Sequence, residues 1–267
     1  IFTLLTILII LIILYFQMHL FFGLNHHTLK SQLQIPIFET DSKNSSINKK
    51  LTLYKCFVVD KKWIVEKVNI KDKDEFFILN AVDITNKNNF FLAEDNIIDY
   101  FDNSELKSYS ILKHRANFKI EIQDGGFSSY QSDFPFAISN KKGSIVSSIY
   151  SLTNYNADQN YLLFKNIYFK PIEEKFNGYF VNYKTKMIEH EFELITNQMN
   201  CIEIDKKFIK PENFFVTDKY LGIPLYLSIK DKNLSFEHTL PLPEYIHSKN
   251  KFEIVKKLKE KICEIIN

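Results

Sequence analysis

The stretch MIEHEFELI (187–195) alternates along its whole length. Ile188, His190, Phe192 and Leu194 fall on one side; Glu189, Glu191 and Glu193 fall on the other. Successive side chains of a strand point to opposite faces, so this period of two predicts a half-buried antiparallel strand. Apolar neighbours on its own face make His190 an expected core histidine. Downstream, CIEIDKKFI (201–209), FFVTDKY (214–220), PLYLSIK (224–230) and LSFEH (234–238) suit further strands. Upstream, NFKIEI (117–122), SIVSSIYSL (144–152), YLLFKNIYF (161–169) and YFVNYK (179–184) do the same. LTLYKCFVV (51–59) and WIVEKVNI (63–70) flank Asp60-Lys61-Lys62 and read as a hairpin, with EFFILNAV (75–82) as a third strand. Short strands at a spacing of roughly 8–12 residues predict a mainly β protein, an antiparallel sandwich or barrel. The chain has only 6 glycines, so many of its turns must use Asn, Asp and Lys.

Two helical segments interrupt that pattern. Residues 94–107, EDNIIDYFDNSELK, lose the period of two and suit a short helix or two turns. At the carboxy terminus, Asn250 and Glu253 have the spacing of a capping box. Phe252, Val255, Leu258, Ile262 and Ile265 then form one apolar stripe, with Lys256, Lys257, Lys259 and Lys261 elsewhere. The stripe predicts an amphipathic helix docked on the sheet, the alternative being a helix lying on a membrane surface.

The amino terminus has a different character. IFTLLTILIILIILYF (1–16) has only Thr3 and Thr6 as polar interruptions, apolar residues resume at Leu20–Leu24, and no charge precedes Lys30. About 20 apolar residues cross a hydrocarbon core, and no A-x-A-like cleavage site follows. We therefore expect an uncleaved single-pass transmembrane helix over residues 1–24, with Tyr15, Phe16, Phe21 and Phe22 near one interface. The spacing Tyr15-Phe16-x-x-His19-x-x-x-Gly23 resembles the membrane exit of septum-formation-initiator proteins. The resemblance covers nine residues and implies an aromatic, amphipathic membrane boundary. Those proteins continue as a coiled coil. Here residues 29–50 hold Pro36 and a polar Ser/Asn/Lys run, and no heptad is sustained.

The expected organisation is a membrane anchor (1–24), a linker (25–50), a small β-rich unit with a short helix (51–115) and an antiparallel β domain ending in a helix (116–267). Lys30 stands alone until Lys43, so lysine counting does not orient the anchor. A single anchor before a large carboxy-terminal body fits an extracytoplasmic placement.

Composition removes several function classes. Lys+Arg 34 against Asp+Glu 32 gives a net charge of +2, and the single arginine is Arg115. Neither a basic excess nor an arginine cluster is present, so nucleic acid is not an expected partner. Cys56, Cys201 and Cys263 stand far apart and suit small core residues. No P-loop, G-x-G-x-x-G or G-x-S-x-G occurs, and no cofactor is implied.

Two segments gather polar, aromatic and ionisable groups without strand periodicity. QDGGFSSYQSDFPF (123–136) offers Tyr130 as a stacking face, with Gln131, Ser132 and Asp133 to pair with hydroxyls, as a sugar requires. SFEHTLPLPEYIH (235–247) carries Glu237, His238, Glu244 and His247. Asp133, Glu237 and His238 are the candidate acid/base groups. His238, Glu244 and His247 are the only candidate metal ligands, and no diagnostic ligand spacing supports them. We expect the two segments to meet at one end of the second β unit.

Three readings follow. The leading one is a membrane-anchored binding or structural module of a cell envelope, with a glycan or an envelope protein as partner. The second is a glycan-processing enzyme built on the same two segments. The third is a membrane assembly factor. Residues 1–22 contain no Gly, Ala or Ser for a close helix pair, which counts against it. The full chain should sediment with membranes and resist extraction by alkaline carbonate; full-length protein in the soluble fraction would contradict the anchor.

Overall fold

The computed structural model describes residues 20–37, 51–70, 75–94, 98, 101–107, 115–238 and 248–267. The strands are β1 (Leu20–Phe21), β2 (Leu29–Pro36), β3 (Leu51–Val59), β4 (Lys62–Lys67), β5 (Phe76–Asn80), β6 (Asn89–Glu94), β7 (Asn117–Ile122), β8 (Phe127–Gln131) and β9 (Asp133–Phe134). They continue as β10 (Val146–Ser148), β11 (Gln159–Lys165), β12 (Lys175–Asn182), β13 (Met187–Ile195), β14 (Met199–Glu203), β15 (Asn213–Thr217), β16 (Ile223–Lys230) and β17 (Asn233–His238). Helix α1 (Lys251–Cys263) closes the chain. The described residues are thus mainly β, in four antiparallel sheets, with one carboxy-terminal helix.

The chain divides into two compact units. One comprises residues 1–120, 129–140 and 169–172; the other comprises 121–128, 141–168 and 173–267. The first holds a sheet of order β4-β3-β6-β1-β9. A second sheet, β5-β2-β7-β8, gives the tip of its β7–β8 hairpin to the other unit. Leu20 and Phe21 lie between β6 and β9, with Phe21 opposite Phe90 and Leu20 opposite Phe134. Both are fully buried, as are Phe22 and Leu24. These residues are therefore not the end of a helix: an interior strand covered on both faces reads as an unbroken apolar run, as a membrane helix does. Residues 1–19 lie outside the described residues. Among the described residues no helix is long and apolar enough to cross a membrane.

Residues 29–36, expected within the linker, form a full strand. Leu29, Ser31, Leu33 and Ile35 point inward, and the Ser31 hydroxyl satisfies itself on the Leu24 carbonyl. The polar run at 40–50 lies outside the described residues. So do 95–97 and 99–100, part of the span 94–107 where a short helix or two turns were expected; 101–107 has no helix and holds a turn. Trp63 on β4 is fully buried, and its indole N–H donates to the Phe169 carbonyl at 2.9 Å.

The second unit is layered. Sheet β14-β11-β16-β17 meets sheet β10-β15-β12-β13 through Phe164, which packs edge-on against Phe176 and Phe215. The other face of the second sheet carries Val146, Tyr179, Val181 and Val216, covered by Ile262 of α1 with Leu258, Ile265 and Ile266. Burying each such side chain is worth about 1.5–3 kcal/mol, so the helix docks by the carboxy-terminal half of its stripe. Phe252, in the first turn, is 69% exposed. Asn250 occupies the N-cap position without a side-chain cap bond, and Glu253 pairs instead with Lys257 at 2.7 Å.

His190 departs from expectation. β13 is an edge strand, and its register shifts between Phe180 and Val181, which pair with His190 and Ile188. The residue left over is Glu189. His190 keeps the face of Phe180, Phe192 and Phe208 but is exposed on this edge strand, its ring stacked on Phe208 at 5.1 Å rather than enclosed in the core.

Gly222 shows how tightly the first of these sheets is joined. A Cβ there would lie 2.4 Å from the Lys165 carbonyl oxygen and 2.4 Å from the Phe164 ring. Backbone cannot yield as a flexible side chain can. Gly222→Ala should therefore cost about 1–3 kcal/mol and lower the unfolding midpoint by about 2–8 °C in a near-UV circular-dichroism melt. An unchanged midpoint would contradict this packing.

Candidate functional site

One end of the β10-β15-β12-β13 sheet brings several of the second unit's connections together. β12 ends at Asn182, opposite Asn213 at the start of β15. β10 ends at Ser148, opposite Phe214. The turn 183–186 and the loop 149–158 therefore leave the sheet on the same side, with residues 210–213 between them. Strands lie about 4.8 Å apart, which puts the two departures about 10 Å apart across β15.

The turn is held from beneath by the bulge. Glu189 accepts from Asn182 Nδ2 at 3.0 Å, Asn213 Nδ2 at 2.8 Å and Lys210 Nζ at 3.1 Å. Asn182 Oδ1 in turn accepts the backbone N–H groups of Lys184 and Thr185, each at 3.0 Å. Tyr183 N–H donates to the Glu212 carbonyl. Burial pushes the Glu189 carboxyl up, but its amide and ammonium donors outweigh that and hold it below the ordinary range. A fixed carboxylate thus fixes a turn, and the turn fixes the backbone that carries Lys184 and Lys186.

On the helix side of the sheet, a surface pocket of about 610 Å³ lies between this turn and the end of α1. It is lined by Tyr183, Lys184, Lys186, Lys261, Glu264 and Ile265.

The loop after β10 is equally constrained. Thr153 bonds the Ile149 carbonyl through both its N–H and its hydroxyl. Asn154 N–H donates to Asn160 Oδ1 and Ser228 Oγ, and Asn160 Nδ2 returns to the Asn154 carbonyl. Asp158 N–H donates to Ile229 O. On this rigid loop Tyr150 and Tyr155 stand 48% and 58% exposed. Large rings turned outward from a rigid loop offer stacking faces.

The residues singled out in the sequence are distributed differently. Tyr130, Gln131, Ser132 and Asp133 lie in the first unit, Tyr130 and Gln131 on β8, Asp133 on β9 and Ser132 between the two strands. Tyr130 is half-buried, and its phenol is pushed up to about 12 by burial and by Asp133, against Arg115. Gln131 is exposed and Ser132 fully buried. The Asp133 carboxylate accepts the Ala116 N–H at 2.9 Å. Glu237 and His238 end β17 in the second unit, where burial lowers the His238 imidazole. Glu244 and His247 lie outside the described residues. Within the second unit Gly126 N–H donates to the Lys232 carbonyl, which precedes the segment 235–247. That contact adjoins the Asn233 end of β17, opposite to Glu237 and His238.

Sequence reading missed the site at the sheet end. Tyr150 lay inside an assumed strand at 144–152, whereas β10 stops at Ser148. The signal was present in Thr153-Asn154-Tyr155-Asn156-Ala157-Asp158, a run of turn formers around an aromatic residue. Cys201 is partly buried, and its thiol is pushed up to about 11 by burial, which keeps it protonated near neutrality. Among the described residues, no group of three His, Cys, Asp or Glu side chains is placed to hold a metal ion. Comparison of the chain with models of known families, with curated proteins and with solved structures finds no match.

Because the folded Glu189 has a lowered pKa, its contribution to stability is present above about pH 4.5 and is lost as pH falls through the folded value. Glu189→Gln should cost about 1–3 kcal/mol at pH 7 and flatten the acid limb of the stability–pH profile. Urea unfolding at pH 3 to 7 checks both. Parallel profiles for the two proteins would contradict the assignment.

Proposed function

We propose that this protein is a membrane-tethered binding module of a cell envelope, and that its second unit takes a glycan at the sheet end. The observation that carries the reading is the pair of outward-facing tyrosines, Tyr150 and Tyr155, on a loop whose backbone is bonded into both sheets of the unit. Sugar rings present an apolar face that stacks on aromatic rings, while their hydroxyls pair with amides and carboxylates. Asn156 supplies an exposed amide on the same loop. A prearranged loop loses little entropy on binding, which suits recognition of a flexible polymer. The tether is the apolar, uncharged run 1–16. That run places the body beside a membrane, and an extracytoplasmic body would meet glycan there. The binding reading needs only surfaces and donors. The enzymatic alternative needs an acid/base pair at a set separation.

The test uses the full chain in a non-ionic polyoxyethylene detergent, since sugar-based detergents would compete. Applied to an array of immobilised saccharides, it should bind a restricted set. Tyr150→Ala and Tyr155→Ala should each weaken that binding about five- to tenfold, the worth of roughly 1 kcal/mol of stacking, with unchanged thermal unfolding. Absence of binding to any saccharide, or binding indifferent to both substitutions, would contradict the reading.

A further inference from the structure

We infer that the pocket between the β12–β13 turn and the end of α1 takes an acidic substituent of the ligand, a carboxylate or a phosphate ester carried on a saccharide. The inference rests on the glycan reading above and adds the charge of the glycan.

Lys184, Lys186 and Lys261 line a pocket of about 610 Å³, within the range of about 300–1,000 Å³ usual for small-molecule sites. Three positive charges face one negative charge, that of Glu264. Some other lysines of this unit are neutralised in pairs, Lys175 with Glu193, Lys207 with Asp205, Lys210 with Glu189 and Lys219 with Glu174, while others, such as Lys206, Lys230 and Lys232, stand singly among the described residues rather than in a shared pocket. On α1 itself Lys256 and Lys257 pair with Glu260 and Glu253. Among the described residues, none of the three pocket lysines makes an ion pair, and neither does Glu264. Uncompensated positive charge is thus gathered at one concave place in a chain whose net charge is only +2.

The lysines are also placed. Lys184 and Lys186 stand on the turn that Asn182 ties down, and Lys186 holds a left-handed backbone with φ 57°. Lys261 stands on the docked half of α1, beside the buried Ile262. Long side chains on fixed backbones reach inward from two sides, as point charges that accept carboxylate and phosphate alike. Tyr183 and Ile265 add an apolar wall for the ring that bears the acid. Glu264 then opposes an anion and favours a hydroxyl or amine beside it. The exposed Tyr150 leaves the same sheet end about two strand spacings away, so an oligosaccharide could meet the ring and the lysines together.

Matched pairs on the saccharide array decide it: uronic acids against their neutral sugars, and sugar phosphates against the free sugars, probed with the full chain in polyoxyethylene detergent. The acidic member should bind at least tenfold more tightly, and its advantage should shrink between 50 and 300 mM salt. The triple substitution Lys184→Ala, Lys186→Ala, Lys261→Ala should reduce the acidic ligand to the level of the neutral one, while the corresponding triple arginine substitution keeps the preference. Glu264→Gln should tighten the acidic ligand several-fold. Equal binding of both members, with Tyr150 still required, would overturn this inference and leave the glycan reading standing. Binding to no saccharide would overturn both. Equal retention on double-stranded DNA would show simple adsorption of polyanions and overturn the inference as well.

Discussion

The carboxylate of Glu189 is the fixed point of one end of the second unit's β10-β15-β12-β13 sheet. The bulge in β13 turns it toward Asn182, Asn213 and Lys210. From there Asn182 orders the turn 183–186, Asn213 anchors the start of β15 and Lys210 closes the approach to that strand. The Glu189 side chain is only 19% exposed, so its bonds are shielded from water and each is charge-assisted. The network lies on the face of the sheet that packs against Phe164, whereas the lysine-lined pocket lies on the face covered by α1. One half-buried acid on the inter-sheet face therefore orders the turn whose backbone carries two of the pocket's lysines.

That arrangement explains why outward-facing groups gather where they do. Strand interiors are occupied by cross-strand packing, and a side chain there has neighbours on every side. At the sheet end the backbone leaves the ladder, and its groups must be satisfied by side chains such as Asn154, Asn160 and Asn182. With the backbone satisfied internally, Tyr150, Tyr155 and the three lysines remain turned outward.

Strands with one wet face were legible in the sequence. Alternation in 117–122 and 187–195 placed β7 and β13 at their observed bounds. Strands buried on both faces were legible in the second unit, as in β11 and β16, but two in the first unit were not. Leu20–Phe21 and Asn89–Glu94 lie inside the five-stranded sheet, where uniform burial erases the period of two. β2 kept its period, but Ser31 stands at an inward position and disguised it; the bond to Leu24 that makes it tolerable appears only in three dimensions. The bulge at Glu189 was equally hidden, because a register shift leaves no mark in a regular alternation. The pocket was illegible for a simpler reason. Lys184 and Lys186 are separated from Lys261 by five strands, and only the docking of α1 brings them together.

The central claim is that the sheet end is a preformed site. It is tested most directly by amide chemical-shift mapping of the full chain in detergent as the tightest-binding array saccharide is added. The account predicts shifts concentrated in residues 149–158, 183–186 and 261–265, with the amides of Lys184 and Thr185 already in slow hydrogen exchange before ligand is present. Shifts centred on another part of the chain, or Lys184 and Thr185 amides that become protected only on binding, would contradict it.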